Sequence, residues 1–360
     1  YLGWGAFNAR RGAKNFSDEE FAAALAYCHE RGVRVFLTLN TLVTDRELPQ
    51  ALETAVQAGR LGVDAVLVQD WGLFGLLRRT LPDLPLLFTS GGAREIAADG
   101  CERVVIAREC SAEDTRTICE NCPVEVEVFA HGALCMCYSG QCEMSALIGG
   151  RSGNRGRCAQ PCRLPYGYGR FESTRYPLSL KDNCLAGELD ELRRMGVASI
   201  KIEGRMKTAL YVATVARTYR KAIDDYLENP EKYKANMEWY KEEIGKCTYR
   251  EFTTGFYFGK PTSETQIYDS NTYVKNYIYL GTAEERDARG FAKIEQKNKF
   301  SVGETIEIMK PDGRNISALV RGIYTEEGES QESAPHPKQV LYIDLDGEVE
   351  QYDILRKKEA

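Results

Sequence analysis

Short runs of β-branched and other apolar residues alternate with amphipathic helical segments over residues 1–220, and this alternation constrains the fold more than any other feature. The strand-like runs are residues 33–39, 65–68, 104–106, 124–128 and 198–202. Ser17 begins a capping box for the first predicted helix, and Gly32 follows its end. Strands that alternate with helices are parallel and are connected by helical crossovers. The sequence therefore predicts an α/β domain, either a (β/α) barrel or a doubly wound sheet.

Polar residues gather directly after the predicted strands, and their position favours the barrel. They are Asn40, Gln69, Asp70, Arg108, Glu109, His131 and Glu203. In a TIM-like barrel the carboxyl ends of all strands converge on one face, where active sites form. The same residue types also cap helices, so each one taken alone has a structural explanation. We predict a TIM-like (β/α) barrel over residues 1–228.

The predicted secondary structure changes after the long helix that is predicted for residues 207–228. Residues 229–269 are predicted to form a helical linker segment. From residue 270 to 360 short strands predominate, and Pro311-Asp-Gly-Arg314 is a typical hairpin turn. We therefore predict a small C-terminal all-β barrel domain over residues 270–360.

Composition limits the class of protein. The chain has 360 residues, a net charge of −6 and 43% hydrophobic residues, which is ordinary for globular proteins. The sequence shows neither an apolar run of about 18 residues nor an export signal, so we expect no membrane span and a cytoplasmic location. Because the chain opens on Tyr1-Leu2-Gly3, which is typical of a strand end, we also expect a strand and a helix to precede it.

Six of the 12 cysteines fall within 50 residues, among glycines that allow close backbone wrapping. They are Cys135, Cys137, Cys142, Cys158, Cys162 and Cys184. Clustered thiolates without carboxylates select zinc or an iron–sulfur cluster. Structural zinc sites usually contain CxxC pairs, and this stretch has none, which favours the cluster. Buried structural thiols are the alternative.

The segment that follows these cysteines is basic. Residues 151–220 contain 14 Lys and Arg but only 6 Asp and Glu, in a chain whose net charge is negative. A basic face beside a redox site suggests a substrate that carries phosphate or carboxylate groups. A solvated helix face with internal charge pairs is the alternative explanation.

Several longer motifs make the sequence recognisable. They are His131-Gly-Ala-Leu-Cys135, Tyr138-Ser-Gly-Gln-Cys142, Asn154-Arg-Gly-Arg-Cys158-Ala-Gln-Pro-Cys162-Arg163, Ser179-Leu-Lys-Asp182, Lys201-Ile-Glu-Gly-Arg-Met-Lys207 and Arg250-Glu-Phe-Thr-Thr-Gly-Phe256. Together they closely resemble the signatures of peptidase family U32, the collagenase-like peptidases. The resemblance covers nearly the whole chain, and Asn298-Lys-Phe-Ser-Val-Gly303 is similar to that family's C-terminal domain.

The resemblance implies an activity other than proteolysis. Well-understood members are oxygen-independent hydroxylases that carry a 4Fe–4S cluster on four cysteines. One branch acts on the wobble uridine of tRNA and requires prephenate, a second acts on a cytidine of ribosomal RNA, and a third hydroxylates ubiquinone as a two-protein pair. The single C-terminal β domain makes this chain most similar to the tRNA branch.

The family pattern also implies roles for single residues. It places the cluster on Cys135, Cys142, Cys158 and Cys184, with Cys162 as the reserve fourth ligand. The chemistry of a hydroxylation, rather than the family pattern, makes His131 and Glu203 the candidates for proton transfer and Tyr138 a candidate for stacking on a base. A structural histidine and a core tyrosine are the alternatives. Phosphates of tRNA or a small dicarboxylate cosubstrate such as prephenate are expected to be bound by Arg108, Arg151, Arg155, Arg163, Arg205 and Lys207.

Other classes of function stay open. A Cys135–His131 nucleophile pair would make the chain a protease, although no HExxH or GxSxG motif supports one. A non-catalytic RNA-binding or assembly partner is the third class. Pairing with a second copy or with another family member is also open, as is replacement of the cluster by zinc, or its loss, on purification in air.

Overall fold

The computed structural model describes residues 1–9, 15–89, 92–167, 175–204 and 207–359. Contacts divide the chain into two compact units. The first consists of Tyr1–Met206 and Phe252–Thr272, and the second of Lys207–Glu251 and Tyr273–Ala360.

The first unit mixes helices and strands, as the alternating pattern predicts. Its helices are α1 (Asp18–His29), α2 (Leu48–Leu61), α3 (Trp71–Thr80), α4 (Ala93–Ala98), α5 (Ala112–Asn121), α6 (Met144–Gly149) and α7 (Leu189–Arg194). Its strands are β1 (Phe36–Leu39), β2 (Ala65–Val68), β3 (Leu86–Thr89), β4 (Arg103–Val105), β5 (Glu125–Ala133), β6 (Asp182–Cys184), β7 (Ser199–Ile202) and β8 (Phe252–Thr253).

The strands of this unit form one sheet that is mainly parallel. Strands β1 to β5 pair in chain order and in parallel, and β7 then pairs in parallel with β5. Strand β6 runs antiparallel to β5, and β8 pairs with β6. Pairing in chain order differs from the reversal found in doubly wound sheets. The α/β class with a parallel sheet is thus confirmed, whereas closure into a complete TIM-like barrel stays a prediction.

Local sequence signals explain most boundaries. Ser17 caps α1 in a complete capping box, and Ser111 caps α5 in the same way. Gly62 ends α2 in the left-handed conformation with φ 95°, which glycine adopts without strain. The sequence analysis did not single out β3 as a strand, and the structure pairs it in parallel with β2 and β4.

A buried ionic network joins three strands inside this unit. The fully buried Glu127 of β5 accepts hydrogen bonds from Arg103 of β4 at 3.0 Å and from Lys201 of β7 at 3.2 Å. The hydroxyl of Tyr1 donates to the same carboxylate at 2.7 Å. Burial lowers the pKa of the Lys201 ammonium to about 8, although Glu127 opposes that shift. Because each charge has an opposite charge beside it, the sheet interior accommodates polar side chains.

The second unit combines three helices with antiparallel strands. The helices are α8 (Ala209–Glu228), α9 (Pro230–Ala235) and α10 (Met237–Ile244). The strands are β9 (Tyr277–Arg286), β10 (Ala292–Glu295), β11 (Phe300–Ser301), β12 (Thr305–Met309), β13 (Asn315–Tyr324), β14 (Ser330–Gln331), β15 (Ser333–Ala334), β16 (Val340–Leu345) and β17 (Ile354–Lys358). The contacts group α8 with this unit, whereas the sequence analysis assigned it to the first domain.

The strands of the second unit are all antiparallel. The order β12-β17-β9-β10-β16-β13 is closed by a further pairing between β12 and β13, which makes a six-stranded ring. The predicted turn at Pro311-Asp-Gly-Arg314 connects the hairpin of β12 and β13. No helix among the described residues is long and apolar enough to cross a membrane.

Candidate functional site

A cavity of about 440 Å³ lies in the first unit, where strands of the parallel sheet end. One part of its lining comes from residues at or just after the ends of β1 to β4, namely Asn40, Gln69, Thr89 and Arg108. The other part comes from the cysteine-rich segment, which contributes Cys135, Cys137, Cys142, Cys158 and Cys162. The structure therefore brings the predicted cysteines together with the polar strand ends.

Residues 134–163 form the cysteine-rich segment, and its fold depends on glycine. Gly140, Gly150 and Gly156 all have positive φ, between 62° and 74°. A Cβ on Gly156 would lie 2.9 Å from the backbone of Ala9, so only glycine allows this close approach. Glu109 fixes another turn of the segment, since its carboxylate accepts from the Ser139 N–H at 2.9 Å and from the Ser139 hydroxyl at 3.1 Å.

Arg163 connects the two ends of the same segment. This buried guanidinium donates to the Leu180 carbonyl at 2.5 Å and to the Ser179 hydroxyl at 3.1 Å. It also donates to the carbonyl of Leu134, directly before Cys135, at 3.2 Å. The sequence analysis predicted that Arg163 binds substrate. These contacts favour an internal, structural role, and substrate binding by Arg163 stays a prediction.

The cavity contains Cys162, and Cys184 is not among its lining residues. Burial raises the pKa of the Cys162 thiol, and the neighbouring thiols of Cys135, Cys158 and Cys142 raise it further. Cys184 instead lies in β6, in register with His131 of β5. The geometry therefore groups Cys162 with the other three cysteines, in the place that the sequence analysis gave to Cys184.

The described residues contain no group of three or more His, Cys, Asp or Glu side chains that is arranged to hold a metal ion. Partial desolvation of the thiols raises the pKa of Cys135 and of Cys137, and the neighbouring thiol of Cys142 raises both further. These thiols are therefore protonated at neutral pH unless an ion or cluster displaces the proton.

None of the predicted catalytic residues, His131, Glu203 and Tyr138, is among the residues that line the cavity. His131 is 1% exposed, and its ring packs on Phe252 at a centroid distance of 5.5 Å. Glu203 follows β7 directly, and its N–H donates to the His131 carbonyl at 2.8 Å. Tyr138 is 73% exposed and stands between two residues that line the cavity, Cys137 and Ser139.

The predicted cations are distributed among several environments. Arg108 lines the cavity, donates to the Ala133 carbonyl at 2.5 Å and lies 4.2 Å over the Phe129 ring. Arg155 pairs with Glu47 at 2.5 Å, and Arg151 donates to the backbone carbonyl of Arg157.

Two further cations of the prediction are not among the residues that line this cavity. Lys207 belongs to the second unit, where it donates to the Thr248 carbonyl at 3.3 Å. Arg205 lies outside the described residues.

Two amide side chains of the cavity were not among the predicted site residues. Gln69 makes no side-chain hydrogen bond to any part of the chain that the structure describes. Asn40 accepts from the Ala9 N–H at 3.0 Å through Oδ1, and no described residue accepts from its Nδ2. Their position directly after strands was the signal that could have identified them.

Comparison with known proteins gives consistent results over both units. The sequence pattern of Peptidase family U32 matches residues 1–267, and that of the Peptidase family U32 C-terminal domain matches residues 275–356. The tRNA hydroxylation protein P1 of Bacillus subtilis is 32% identical, and the alignment covers 99% of this chain and 89% of that protein.

Two other relatives carry different names. A 23S rRNA 5-hydroxycytidine synthase of Escherichia coli is 38% identical over 63% of this chain and 36% of its own length. A collagenase of Porphyromonas gingivalis is 30% identical, with 86% of this chain and 81% of that protein covered.

Proposed function

Since this chain belongs to peptidase family U32, we propose that it is an RNA-modifying enzyme that hydroxylates a pyrimidine base with the help of a 4Fe–4S cluster. Relatives named for tRNA hydroxylation and for rRNA hydroxycytidine synthesis support the RNA substrate. The observation that carries the proposal is that a single cavity is lined both by cysteines and by the amide side chains of Asn40 and Gln69, which have hydrogen-bonding groups without a described partner.

The cysteine set fits a cluster. We assign its ligands to Cys135, Cys142, Cys158 and Cys162, with Cys162 replacing Cys184. Each thiolate of a 4Fe–4S cluster binds a different iron, so the four ligands are spread around a cavity rather than converging on one point. When bound, the cluster would supply electron transfer at the edge of the sheet where the parallel strands end. The glycines of the segment and the Arg163 bridge would hold the ligands in place.

Neutral amides suit a nucleobase. A carboxamide carries both a donor and an acceptor, as does the hydrogen-bonding edge of uracil or cytosine. We propose that Gln69 and the Nδ2 group of Asn40 contact this edge of the base. Arg108 would bring positive charge to the same cavity, where a dicarboxylate such as prephenate would bind. The relatives named for tRNA hydroxylation favour tRNA as the substrate. The wobble uridine, which the family resemblance implies, is the proposed target.

Proton transfer remains assigned to His131 and Glu203. Because neither residue lines the cavity, the proposal gives direct substrate contact to Gln69, Asn40 and Arg108. His131 and Glu203 would then move protons only through a group that does line the cavity, and the Glu203 N–H that donates to the His131 carbonyl keeps their backbones adjacent. Tyr138 keeps its proposed stacking role, which its high exposure permits.

The first test is anaerobic purification followed by iron and sulfide analysis of four proteins. The parent chain and Cys184→Ala are expected to hold about four irons per chain, whereas Cys162→Ala is expected to lose most of them. Cys247→Ala, a buried cysteine of the second unit, is the matched control and should keep its iron. Full iron in Cys162→Ala and loss in Cys184→Ala would reverse the assignment of the fourth ligand.

The second test concerns the reaction. Mass spectrometry of tRNA and rRNA from a deletion strain should show a missing hydroxylated pyrimidine that the parent gene restores and the Cys142→Ala gene does not. An unchanged set of modifications, together with protein that binds no iron after anaerobic reconstitution, would refute the proposal.

Proteolysis is the second candidate, and the match to a collagenase is the observation that favours it. It would require a Cys135–His131 pair, but Cys135 lines the cavity and the buried His131 does not. Cleavage of gelatin that is lost in Cys135→Ala and unaffected by iron removal would support this candidate.

A further inference from the structure

A second cleft, of about 800 Å³, lies wholly within the second unit. It is bordered by α10 and the residues after it, by the start of β9 and by the end of β17. Its lining is rich in lysine and tyrosine and includes Lys241, Lys246, Lys275, Lys358, Tyr249 and Tyr277. We call it the lysine cleft. The cysteine site lies in the first unit and shares no residue with it.

The lysines of the cleft differ in how strongly nearby carboxylates neutralise their charge. Lys246 is neutralised by Glu243 and Glu307, each 3.2 Å away. Lys275 has only an exposed contact with Glu359 at 3.7 Å, and surface pairs of this kind contribute little.

Lys241 and Lys358 are the most available cations of the cleft. Both are exposed, and neither forms an ion pair within the part of the chain that the structure describes. Glu242 and Glu359 also line the cleft, so its four lysines leave a lining with a net positive charge for an anion that enters.

Aromatic side chains accompany these cations. Tyr249 and Tyr277 line the cleft, and a backbone bridge joins Tyr249 to Val274. Beside that bridge, the partly exposed ring of Tyr273 has Arg250 at 4.2 Å and Lys207 at 4.9 Å. Cations that alternate with tyrosines follow a nucleic-acid strand well, since cations neutralise phosphates and rings stack on bases.

We propose that the lysine cleft binds the phosphodiester backbone of RNA. This inference rests on the proposed function and extends it, because the second unit would bind parts of the RNA other than the modified base. The two uncommitted lysines come from α10 and the end of β17, so two different elements would each offer a cation to the phosphates. Backbone contacts of this kind position RNA without reading its sequence.

The test compares two double variants that remove the same charge. Lys241→Gln/Lys358→Gln removes the free cations of the cleft. Lys299→Gln/Lys338→Gln removes two exposed lysines of the same unit that do not line it and form no ion pair within the described residues. Binding of an unmodified tRNA transcript is measured at several salt concentrations, together with the iron content of each protein.

Two lost phosphate contacts lower the slope of log affinity against log salt by about 1.4 to 1.8. The cleft variant should show this change and bind tRNA about tenfold more weakly at low salt, whereas the control variant should match the parent chain. Equal slopes and affinities in both double variants overturn the proposal. Cleft-dependent binding of polyglutamate without any effect on tRNA would also overturn it, and would assign the cleft to acidic proteins.

The outcome is separable from that of the proposed function. Iron content and base hydroxylation report on the cysteine site, whereas the salt slope reports on the lysine cleft. A chain that lacks hydroxylase activity but shows the cleft-dependent slope would refute the first proposal and leave the second intact.

Discussion

Replacing Arg163 with methionine distinguishes a structural from a substrate-binding arginine. The guanidinium is buried and donates to two backbone carbonyls and one hydroxyl, at 2.5 to 3.2 Å. Methionine keeps most of the apolar stem but donates no hydrogen bond. Arg163→Met therefore leaves the carbonyls of Leu134 and Leu180 without this donor.

The size of the effect follows from those three bonds. A hydrogen bond from a charged donor contributes about 1.5 kcal/mol or more, and removing the need to bury a charge offsets part of the loss. We expect the free energy of unfolding to fall by about 3 kcal/mol. For a domain of this size the corresponding decrease in Tm is roughly 10 °C.

Thermal unfolding and iron content together provide the assay. Because Arg163 connects Leu134 to the segment that carries Cys162, Arg163→Met should bind substantially less iron as well as unfold earlier. The exposed Arg157 provides the matched control, and Arg157→Met should change neither quantity. An unchanged Tm and full iron, with weaker binding of RNA or cosubstrate alone, would refute the structural role and restore the substrate-binding interpretation.

Three further predictions concern other parts of the chain. Glu243→Gln should destabilise the second unit by about 3 kcal/mol. The fully buried Arg356 lies 2.5 Å from the Glu243 carboxylate, and the substitution would remove this negative charge from beside the guanidinium. Gln69→Leu should lower kcat/KM for RNA hydroxylation by 10- to 100-fold, roughly 1–3 kcal/mol, without changing Tm or iron content. Gly132→Ala should lower Tm, since its Cβ would lie 2.5 Å from the Glu203 carbonyl oxygen at a φ of 123°.

The predictions for Gln69→Leu and Gly132→Ala each have a control variant and an outcome that would contradict them. Gln57→Leu, on the exposed face of α2, should leave activity unchanged, and full activity of Gln69→Leu would remove that residue from the site. Gly187→Ala, where nothing lies within 4 Å of the added Cβ, should have the parent Tm. An equal Tm for Gly132→Ala would show that β5 adjusts to the added methyl group.

The Glu243 prediction includes a dependence on pH. Burial alone would raise the pKa of this carboxyl, but the charges of Arg356 and Arg217 outweigh burial and hold the pKa below its ordinary value of 4.5. The native state therefore binds fewer protons than the unfolded state near that pH, so stability that is present at neutral pH is lost as the pH falls below about 4.5. Denaturant titrations should show this loss in the parent chain and a weaker one in Glu243→Gln.

Local patterns in the sequence predicted the elements well. The capping box at Ser17 and the hairpin turn before Arg314 depend on neighbouring residues only, so they could be identified without tertiary information. Strand β3 was harder to predict, because its short apolar run becomes a strand by pairing with β2 and β4. The network of Glu127, which joins three strands, gave no local signal at all.

The sequence by itself determined the α/β and antiparallel β parts of the chain and the cysteine-rich segment, because residue type, periodicity and motif spacing are local properties. Only the tertiary structure placed Cys162 in the cavity and Cys184 opposite His131, since residues 22 apart in the chain are positioned by strand pairing rather than by spacing. The same holds for Arg163, whose partners come from other segments. Charge and motif suggested that Arg163 binds substrate, whereas its burial and three internal hydrogen bonds, visible only in the tertiary structure, favour a structural role.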